Sequence, residues 1–244
     1  MKFIVPSYQR ATEIQEKTLK YLLSQGVPTQ SIYIVVREDD EQIEQYRSIE
    51  NINLVETSVK GIGRTHNFIT DWAEEGEFIV EMDDDMIGLI DEKRQNKDFI
   101  DTCCEMKKVM TEKGASYGGT YVCDNILWMA RCDNYTFDLK YLLGCLRFRF
   151  VRKEIVLETN YAEDFENSIL HFIRDGLIVK NNHIAPKTKN YSKGGCDGDG
   201  RNLVTEKTDK EFLANKYPKY CKLFQRKNER WDLKLIRRPI VESD

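Results

Sequence analysis

Short apolar runs alternate with amphipathic segments through the first 90 residues. The runs predict strands over residues 2–5, 32–36, 52–55 and 77–82. The segments between them place apolar residues close to helical spacing and predict helices over 13–24, 39–48 and 65–74. This βαβαβαβ order is typical of a doubly wound, mostly parallel sheet with helices on both faces.

The pattern is less regular after residue 90. It predicts helices over 98–113, 163–174 and 206–224, and strands near 117–122, 126–130, 146–151, 177–179 and 183–185. Residues 190–202 are predicted to form a glycine-rich loop, and residues 231–236 an extended tail. The sequence contains neither an internal repeat nor a linker. We therefore predict one α/β domain over 1–244, with a regular half over 1–90 and a smaller mixed half over 91–244.

The composition favours a soluble globular protein, because 41% of the 244 residues are hydrophobic and 32% are charged. No apolar run approaches the roughly 20 residues that a membrane helix needs, and the apolar start is too short for a signal peptide. The seven cysteines show no Cys-x-x-Cys spacing, which favours reduced thiols. We expect a cytoplasmic protein without a membrane partner.

The net charge of −4 conceals an uneven distribution of charge. Residues 186–240 contain 15 Lys and Arg against 7 Asp and Glu, so the remainder of the chain is strongly acidic. A basic segment attracts a polyanion, and an acidic one can hold a cation. The alternative interpretation of the basic segment is a solvated helical face.

Three consecutive aspartates, Asp83, Asp84 and Asp85, follow the predicted strand 77–82 directly. We call residues 83–85 the aspartate triplet. Its carboxylates repel one another, and a cation is the natural compensation. Asp83 and Asp85 point to one side in extended geometry, and their hard oxygens suit Mn²⁺ or Mg²⁺. The alternative is a solvated acidic turn. Ligands of doubly wound sheets bind at this edge, beyond the carboxyl ends of the strands.

The motifs around the triplet resemble those of GT-A glycosyltransferases. Residues 61–69 and 73–85 contain a glycine turn, a helix with Arg and Asn, a Gly-Glu-aromatic strand start and an Asp-x-Asp motif, in that order. Residues 4–10 resemble the family's first strand and nucleotide-binding turn. The resemblance implies a Rossmann-like GT-A fold that transfers a sugar from a nucleotide-sugar, most often a UDP-sugar, to a hydroxyl group. It also implies Mn²⁺ or Mg²⁺ as the cofactor, held by Asp83 and Asp85.

The resemblance also implies a set of contacts with the donor. These are Pro6, Ser7, Tyr8, Arg10, Asp39, Arg64, Asn67, Asp83 and Asp84, with Lys193 and Arg201 from the glycine-rich loop acting as a lid. Two departures from the family stand out. Residues 37–40 read Arg-Glu-Asp-Asp where the family often has Asp-Asp-Gly-Ser. His66 stands where the helix usually has Arg, so either Arg64 takes over that contact or the contact is absent.

Two further features match the family's acceptor side and metal site. Glu163 and Asp164 begin a predicted helix and resemble the family's Glu-Asp pair, whose Asp accepts the acceptor's proton in inverting members. In a retaining enzyme the pair would position the sugar instead, and a plain helix cap is the structural alternative. His183 is the best candidate for the further His ligand that many members use, although a lone His is more often structural.

A dinucleotide-binding fold is excluded by spacing. Its Gly-x-Gly-x-x-Gly motif must follow the first strand. Here Pro-Ser-Tyr follows the first strand, and Gly61-x-Gly63 follows the third strand without a third glycine.

The basic C-terminal segment indicates the kind of acceptor. Lys and Arg alternate with aromatic residues over 216–231, and proteins that bind nucleic acids combine cations with stacking rings in this way. The turn at 6–10, residues 37–39 and the triplet also resemble phage and viral TET-associated transferases. That resemblance implies 5-hydroxymethylcytosine in double-stranded DNA as the acceptor, modified in the host cytoplasm. Further predicted phosphate contacts are Arg147, Arg149, Arg152 and Lys153. The alternative interpretation of these residues is an exposed strand face. The alternatives are an enzyme that builds a glycan or lipid-linked sugar, and a non-catalytic GT-A-like binding module.

Overall fold

The computed structural model describes residues 1–122, 126–188, 195 and 200–237. Its first half contains four strands that pair in parallel in the order β3-β2-β1-β4. They are β1 (Lys2–Pro6), β2 (Ile32–Arg37), β3 (Asn53–Thr57) and β4 (Phe78–Met82). The helices between them are α1 (Ala11–Ile14), which runs through a π-helical segment (Gln15–Leu19) into α2 (Lys20–Ser24), then α3 (Ile43–Arg47) and α4 (Ile62–Trp72). The predicted alternation of strands and helices is confirmed.

The second half extends this sheet with strands of mixed direction, because β8 pairs antiparallel with β4 and β6 whereas β6 and β9 pair in parallel. Its elements are β5 (Met86–Asp91), α5 (Phe99–Lys113), β6 (Tyr117–Gly119), α6 (Ile126–Met129), β7 (Tyr135–Thr136), β8 (Leu146–Phe150), α7 (Glu163–Asp175), β9 (Val179–Asn181), β10 (Ile184–Thr188), α8 (Leu203–Lys216), β11 (Cys221–Gln225) and β12 (Trp231–Leu235). The complete order is β3-β2-β1-β4-β8-β6-β9-β7, with β8 antiparallel to β4. Two separate hairpin-like pairs, β5 with β10 and β11 with β12, lie outside this sheet.

Both faces of the parallel strands are covered, which explains their nearly continuous apolar sequences. Phe3 and Val5 of β1 pack into one cluster with Phe99 of α5. Ile4 points the other way and packs into a second cluster with Ile69 of α4. Alternation along a single strand therefore fixes which helix covers which face.

Several sequence predictions are wrong in detail. Residues 126–130 were predicted as a strand and contain the helix α6. The predicted helix over 206–224 ends at Lys216, because Pro218 cannot continue it, and the chain then forms β11. The strand β5 was not predicted. Within the part of the chain that the structure describes, no helix is long and apolar enough to cross a membrane.

A buried layer of charge lies between the sheet and α4. Glu81 of β4 pairs with Arg149 of β8, and its Oε2 is 2.7 Å from Nδ1 of His66. Arg147 and Arg149 are each 3% exposed, so their prediction as DNA phosphate contacts is wrong. Arg152 pairs with Glu75 at 3.0 Å.

Lys153 has a structural role at the end of α4. Its ammonium donates to the carbonyl oxygens of Asp71 and Ala73, at 2.7 and 2.6 Å. These carbonyls lie in the last turn of the helix and just beyond it, where a cation is favourable. Lys153 therefore stabilises the helix end, and the structure does not support its prediction as a phosphate contact.

Candidate active site

The aspartate triplet lies at the carboxyl edge of the parallel strands, and Thr18 fixes its backbone. The Thr18 hydroxyl donates to the carbonyl of Asp83 at 2.8 Å and accepts from the amide of Met86 at 2.9 Å. Thr18 is fully buried and belongs to the π-helical segment. Such segments occur frequently at functional sites. The wider helical turn therefore anchors both ends of the triplet.

Asp84 connects the triplet to the turn after β1. Its carboxylate accepts from the Ser7 hydroxyl at 2.7 Å and from Nη1 of Arg10 at 2.9 Å, and the residue is 4% exposed. Burial raises the pKa of Asp84, and the adjacent Arg10 opposes this rise. Ser7 is also 2.7 Å from the hydroxyl of Tyr46. Ser7 and Asp84 therefore bind each other inside the protein, and the structure does not support their predicted contacts with the donor.

Asp83 and Asp85 lack such partners. Asp83 lines a cavity. Loss of hydration, and then the charges of the nearby Asp85 and Asp84, raise the pKa of its carboxyl to about 7. Asp85 is 6% exposed, and its Oδ1 is buried without a hydrogen-bond partner. A hard divalent cation would satisfy both carboxylates, so the donor set fits Mn²⁺ or Mg²⁺.

The two aspartates would not hold such an ion alone. Across the described ranges, no group of three or more His, Cys, Asp or Glu side chains is placed to bind a metal. Divalent cations of this kind are commonly held by one or two carboxylates together with a ligand's phosphates. The geometry therefore fits a cation that arrives with, or is completed by, a diphosphate.

A second group of predicted donor contacts lies at the ends of β1 and β2. The guanidinium of Arg37 lies 4.6 Å from the centre of the Tyr8 ring. Asp39 accepts from Arg37 at 2.7 Å and is 3.0 Å from the ammonium of Lys60. The Asp39 side chain remains 49% exposed. Tyr8 and Asp39 therefore offer an aromatic face and a carboxylate just beyond the carboxyl ends of β1 and β2.

The glycine-rich loop is described at Gly195 and from Gly200 onward. The Gly195 amide donates to the carbonyl of Tyr8 at 2.9 Å. A Cβ at Gly195 would lie 2.8 Å from Cζ of Arg10, so the loop approaches the first turn closely. Lys193 lies outside the described residues, and its donor contact stays a prediction.

The helix α4 contributes less than predicted. Both ends of the Asn67 amide bind the backbone of Leu157, each at 2.8 Å. Asn67 therefore joins α4 to a distant loop, and the structure does not support its donor contact. His66 is buried against Glu81. Arg64 is exposed on the same helix, and its contact with the donor stays a prediction.

A cavity of about 520 Å³ brings Asp83 of the triplet and the Glu163-Asp164 pair together. Asp83, Glu163 and Asp164 all line it. The Tyr141 hydroxyl donates to Oδ2 of Asp164 at 3.1 Å, and Nη2 of Arg147 is 3.3 Å from Oδ1. Burial, and then the adjacent Asp164, raises the pKa of Glu163 to about 8. The sequence indicated the pair, whereas Tyr141 and Arg147 come close to it only through tertiary packing.

The lining of the cavity also contains a group of cations, which we call the basic wall. Its members are Arg201, Lys210, Arg226 and Arg230, grouped around the buried carboxylates of Glu206 and Asp232. Arg201 donates to Glu206 at 2.7 Å, and Arg226 donates to Asp232 at 2.6 Å. Four cations thus share two carboxylates. The sequence predicted a basic segment but not its position on the cavity.

The structure does not support the predicted role of His183 as a metal ligand. In the antiparallel pair of β5 and β10, Ile184 lies opposite Asp91, whereas Thr188 lies opposite Met86. His183 is therefore at the far end of the pair from the triplet, several strand residues away at about 3.4 Å each. Its Nε2 is 2.8 Å from the carbonyl of Cys132.

The sheet order and the acidic cluster at the strand ends define the fold of the GT-A nucleotide-sugar glycosyltransferases. No protein-family model and no curated protein matches the chain. Among solved structures, glucosyl-3-phosphoglycerate synthase from Mycobacterium tuberculosis, in complex with Mn²⁺, UDP and glucosyl-3-phosphoglycerate, matches with a TM-score of 0.56. The match covers 98% of this chain and 88% of that one, at 11% identity.

A second similar structure is a mannosyltransferase from Pyrobaculum calidifontis in complex with GDP-Man and Mn²⁺. It matches with a TM-score of 0.50 and 18% identity. The match covers 74% of this chain and 56% of the mannosyltransferase, so this chain spans little more than half of that protein. At these identities the comparisons establish the GT-A fold alone.

Proposed function

We propose that the protein is a metal-dependent glycosyltransferase that uses a nucleotide-sugar, with a UDP-sugar as the preferred donor. The observation that carries the proposal is the buried, unpartnered Oδ1 of Asp85 next to Asp83, which lines a cavity together with Asp164. The solved structures that share the fold contain Mn²⁺ with UDP or GDP-Man, which supports this combination of cofactor and donor.

The donor would occupy the carboxyl edge of the parallel strands. Tyr8 and Arg37 would offer a flat surface to the nucleobase, with Asp39 beside them. Asp83 and Asp85 would hold the divalent cation, which when bound neutralises charge on the departing diphosphate. Arg201 lies on the same cavity and would add a positive contact.

The acceptor hydroxyl would enter the cavity from the side of the basic wall. Asp164 is placed to accept its proton as the oxygen bonds to the anomeric carbon and the bond to the diphosphate breaks. The hydrogen bond from Tyr141 at 3.1 Å orients this carboxylate. Glu163, with its raised pKa, is the poorer proton acceptor of the pair near neutral pH.

For the acceptor we propose 5-hydroxymethylcytosine in double-stranded DNA. The support is the excess of cations on the basic wall, together with Phe224, which lines the same cavity and is 41% exposed. Phosphates would pair with the arginines, and the ring offers a surface for stacking. The target base would have to leave the helix to reach Asp164.

The test is a transfer assay with Mn²⁺ and a panel of UDP-sugars on duplexes that contain either hydroxymethylcytosine or cytosine. Digestion to nucleosides and mass spectrometry should show a mass gain of one sugar on hydroxymethylcytosine alone. Donor hydrolysis without that gain would exclude the DNA acceptor and favour a glycan or lipid-linked acceptor. Neither hydrolysis nor transfer with any donor, and no effect of Asp85→Asn, would favour a non-catalytic binding module.

A further inference from the structure

Arg147 is a buried cation beside the carboxylate that is proposed to accept the proton. It extends from β8 into the cavity lining, although only 3% of the residue is exposed. Its Nε donates a long hydrogen bond to the carbonyl of Gly144 at 3.4 Å. Its Nη1 is buried without a hydrogen-bond partner. Burying a guanidinium in this way is costly, so its charge must act on something nearby.

The carboxylate next to Arg147 is that of Asp164. The atoms Nη2 and Oδ1 are 3.3 Å apart, and Oδ1 is itself buried without a hydrogen-bond partner. Burial opposes the charge on Arg147, but Tyr117, Asp164 and Glu81 together raise its pKa, so it stays protonated. The pair is therefore held mainly by charge, in a place where water screens little.

Arg149, two residues further along β8, provides a comparison. It is equally buried, but it forms a hydrogen-bonded ion pair with Glu81 and a bond of 2.7 Å to the hydroxyl of Thr70. That pair lies beneath the sheet and does not line the cavity. The two arginines thus differ in what they stabilise: Arg149 supports the fold, and Arg147 faces the cleft.

Gly144 leaves the space that the Arg147–Asp164 pair needs. A Cβ at this position would lie 2.2 Å from Nη2 of Arg147 and 2.6 Å from Oδ1 of Asp164. Oδ1 of Asp164 is buried, and only 4% of the Arg147 side chain is exposed, so the two atoms have little room to move aside. A larger residue here would therefore press on both charged groups.

We propose that Arg147 is the positioning residue for Asp164, and this inference rests on the proposed function. Arg147 holds Oδ1 inward, so that Oδ2, which accepts from Tyr141, is presented to the acceptor hydroxyl. Without this cation, the buried Oδ1 of Asp164 would lose the counterion that lies 3.3 Å away. The carboxylate would then turn toward water in the cavity and away from its working orientation.

The experiment compares steady-state transfer by Arg147→Met, Arg147→Lys and Gly144→Ala with that of the wild type. Arg147→Met should lower kcat about 100-fold while KM for the donor changes less than twofold, since misplacement of a reacting group costs about this much. Arg147→Lys should recover part of the loss, because it restores the charge without the planar fork. Gly144→Ala keeps both charges and should also lower kcat.

A matched control separates positioning from folding. Arg149→Met removes an equally buried guanidinium from the same strand, and its folded fraction should keep kcat within about threefold. Each variant is also tested for the rise in melting temperature that UDP with Mn²⁺ causes, which should persist in Arg147→Met. If that rise disappears together with kcat, Arg147 is a structural residue and the inference fails.

The remaining outcomes are also decisive. If the wild type transfers sugar and both Arg147→Met and Gly144→Ala keep kcat within threefold, the inference is overturned while the proposed function stands. If the wild type makes no product with any donor, the proposed function fails, and the role of Arg147 falls with it. If Arg147→Met does not fold, Gly144→Ala and Arg147→Lys provide the same comparison.

Discussion

The aspartate triplet and the basic wall carry an excess of charge of opposite sign. At the triplet, Asp83 and Asp85 have an excess of carboxylate, and one oxygen of Asp85 is buried without a partner. On the basic wall, four cations are grouped around the two carboxylates of Glu206 and Asp232. Negative charge therefore dominates at the triplet, and positive charge dominates on the basic wall. The difference indicates two ligands: a cation with its diphosphate on one side, and an anionic acceptor on the other.

The largest effect is expected at the triplet. Asp85→Asn removes a hard ligand for the cation, and kcat/KM should fall by at least about 1,000-fold, since a preorganised charge at the leaving group supplies several kcal/mol. Asp91→Asn, at the other end of β5, is the matched control. A loss below tenfold in Asp85→Asn, or an equal loss in the control, would contradict a metal site there.

Asp164→Asn removes the proton acceptor without changing the size of the side chain. We expect kcat to fall about 100-fold, within the range for general base catalysis, while binding of UDP and Mn²⁺ is unchanged. Glu163→Gln should have a much smaller effect, because a pKa of about 8 leaves Glu163 mostly protonated near pH 7 and unable to accept a proton. The reverse ranking of the two variants would show that the roles within the pair have been assigned wrongly.

Beneath each side of the cleft lies one buried histidine, His66 in α4 and His171 in α7. Burial lowers the pKa of His66 to about 4 and that of His171 well below its usual value. At these two positions the unfolded chain therefore binds more protons than the native protein below pH 6.5, and their contribution to the free energy of unfolding decreases as the pH falls.

Between pH 7.5 and 5, His66 alone should lower this free energy by about 2 kcal/mol, as measured by urea unfolding. His66→Gln removes the titrating group but can still donate a hydrogen bond to Glu81. It should therefore show a smaller difference between the two pH values. An unchanged difference in the variant would mean that His66 is already protonated in the native protein.

The smallest effect is expected on the basic wall. The double variant Arg226→Gln with Arg230→Gln should raise KM for a DNA acceptor about tenfold and leave kcat and donor KM unchanged, because phosphate contacts contribute to binding rather than to chemistry. Lys222→Gln with Lys227→Gln removes two cations of the same hairpin that do not line the cavity. If both pairs raise KM equally, the attraction is diffuse and the wall is not a specific contact.

The triplet and the surroundings of Asp164 differ in how far the sequence predicts them. The four parallel strands and the triplet were predicted, because their apolar runs and charges are local signals. Tyr141, Gly144 and Arg147 carry no such signal, and only the antiparallel return of β8 beside β4 brings them to Asp164. The role of Asn67 was missed because its backbone partner, Leu157, lies 90 residues further along the chain.

Strand pairing explains why β5 was not predicted and why the structure does not support His183 as a metal ligand. β5 begins immediately after three carboxylates and forms its ladder with β10, about one hundred residues later, so its short apolar run gave no isolated signal. His183 precedes β10, and the antiparallel pairing carries it away from the triplet instead of toward it. Neither the pairing nor its direction can be read from the residues in either segment.

The most direct test of the account is calorimetric titration of UDP into the protein, with Mn²⁺ or with EDTA, for the wild type and for Asp85→Asn. The account predicts measurable binding by the wild type with Mn²⁺, and binding at least about 100-fold weaker in EDTA or in the variant, since the cation joins the carboxylates to the diphosphate. Equal affinity for UDP in Mn²⁺ and in EDTA, unaffected by Asp85→Asn, would contradict it.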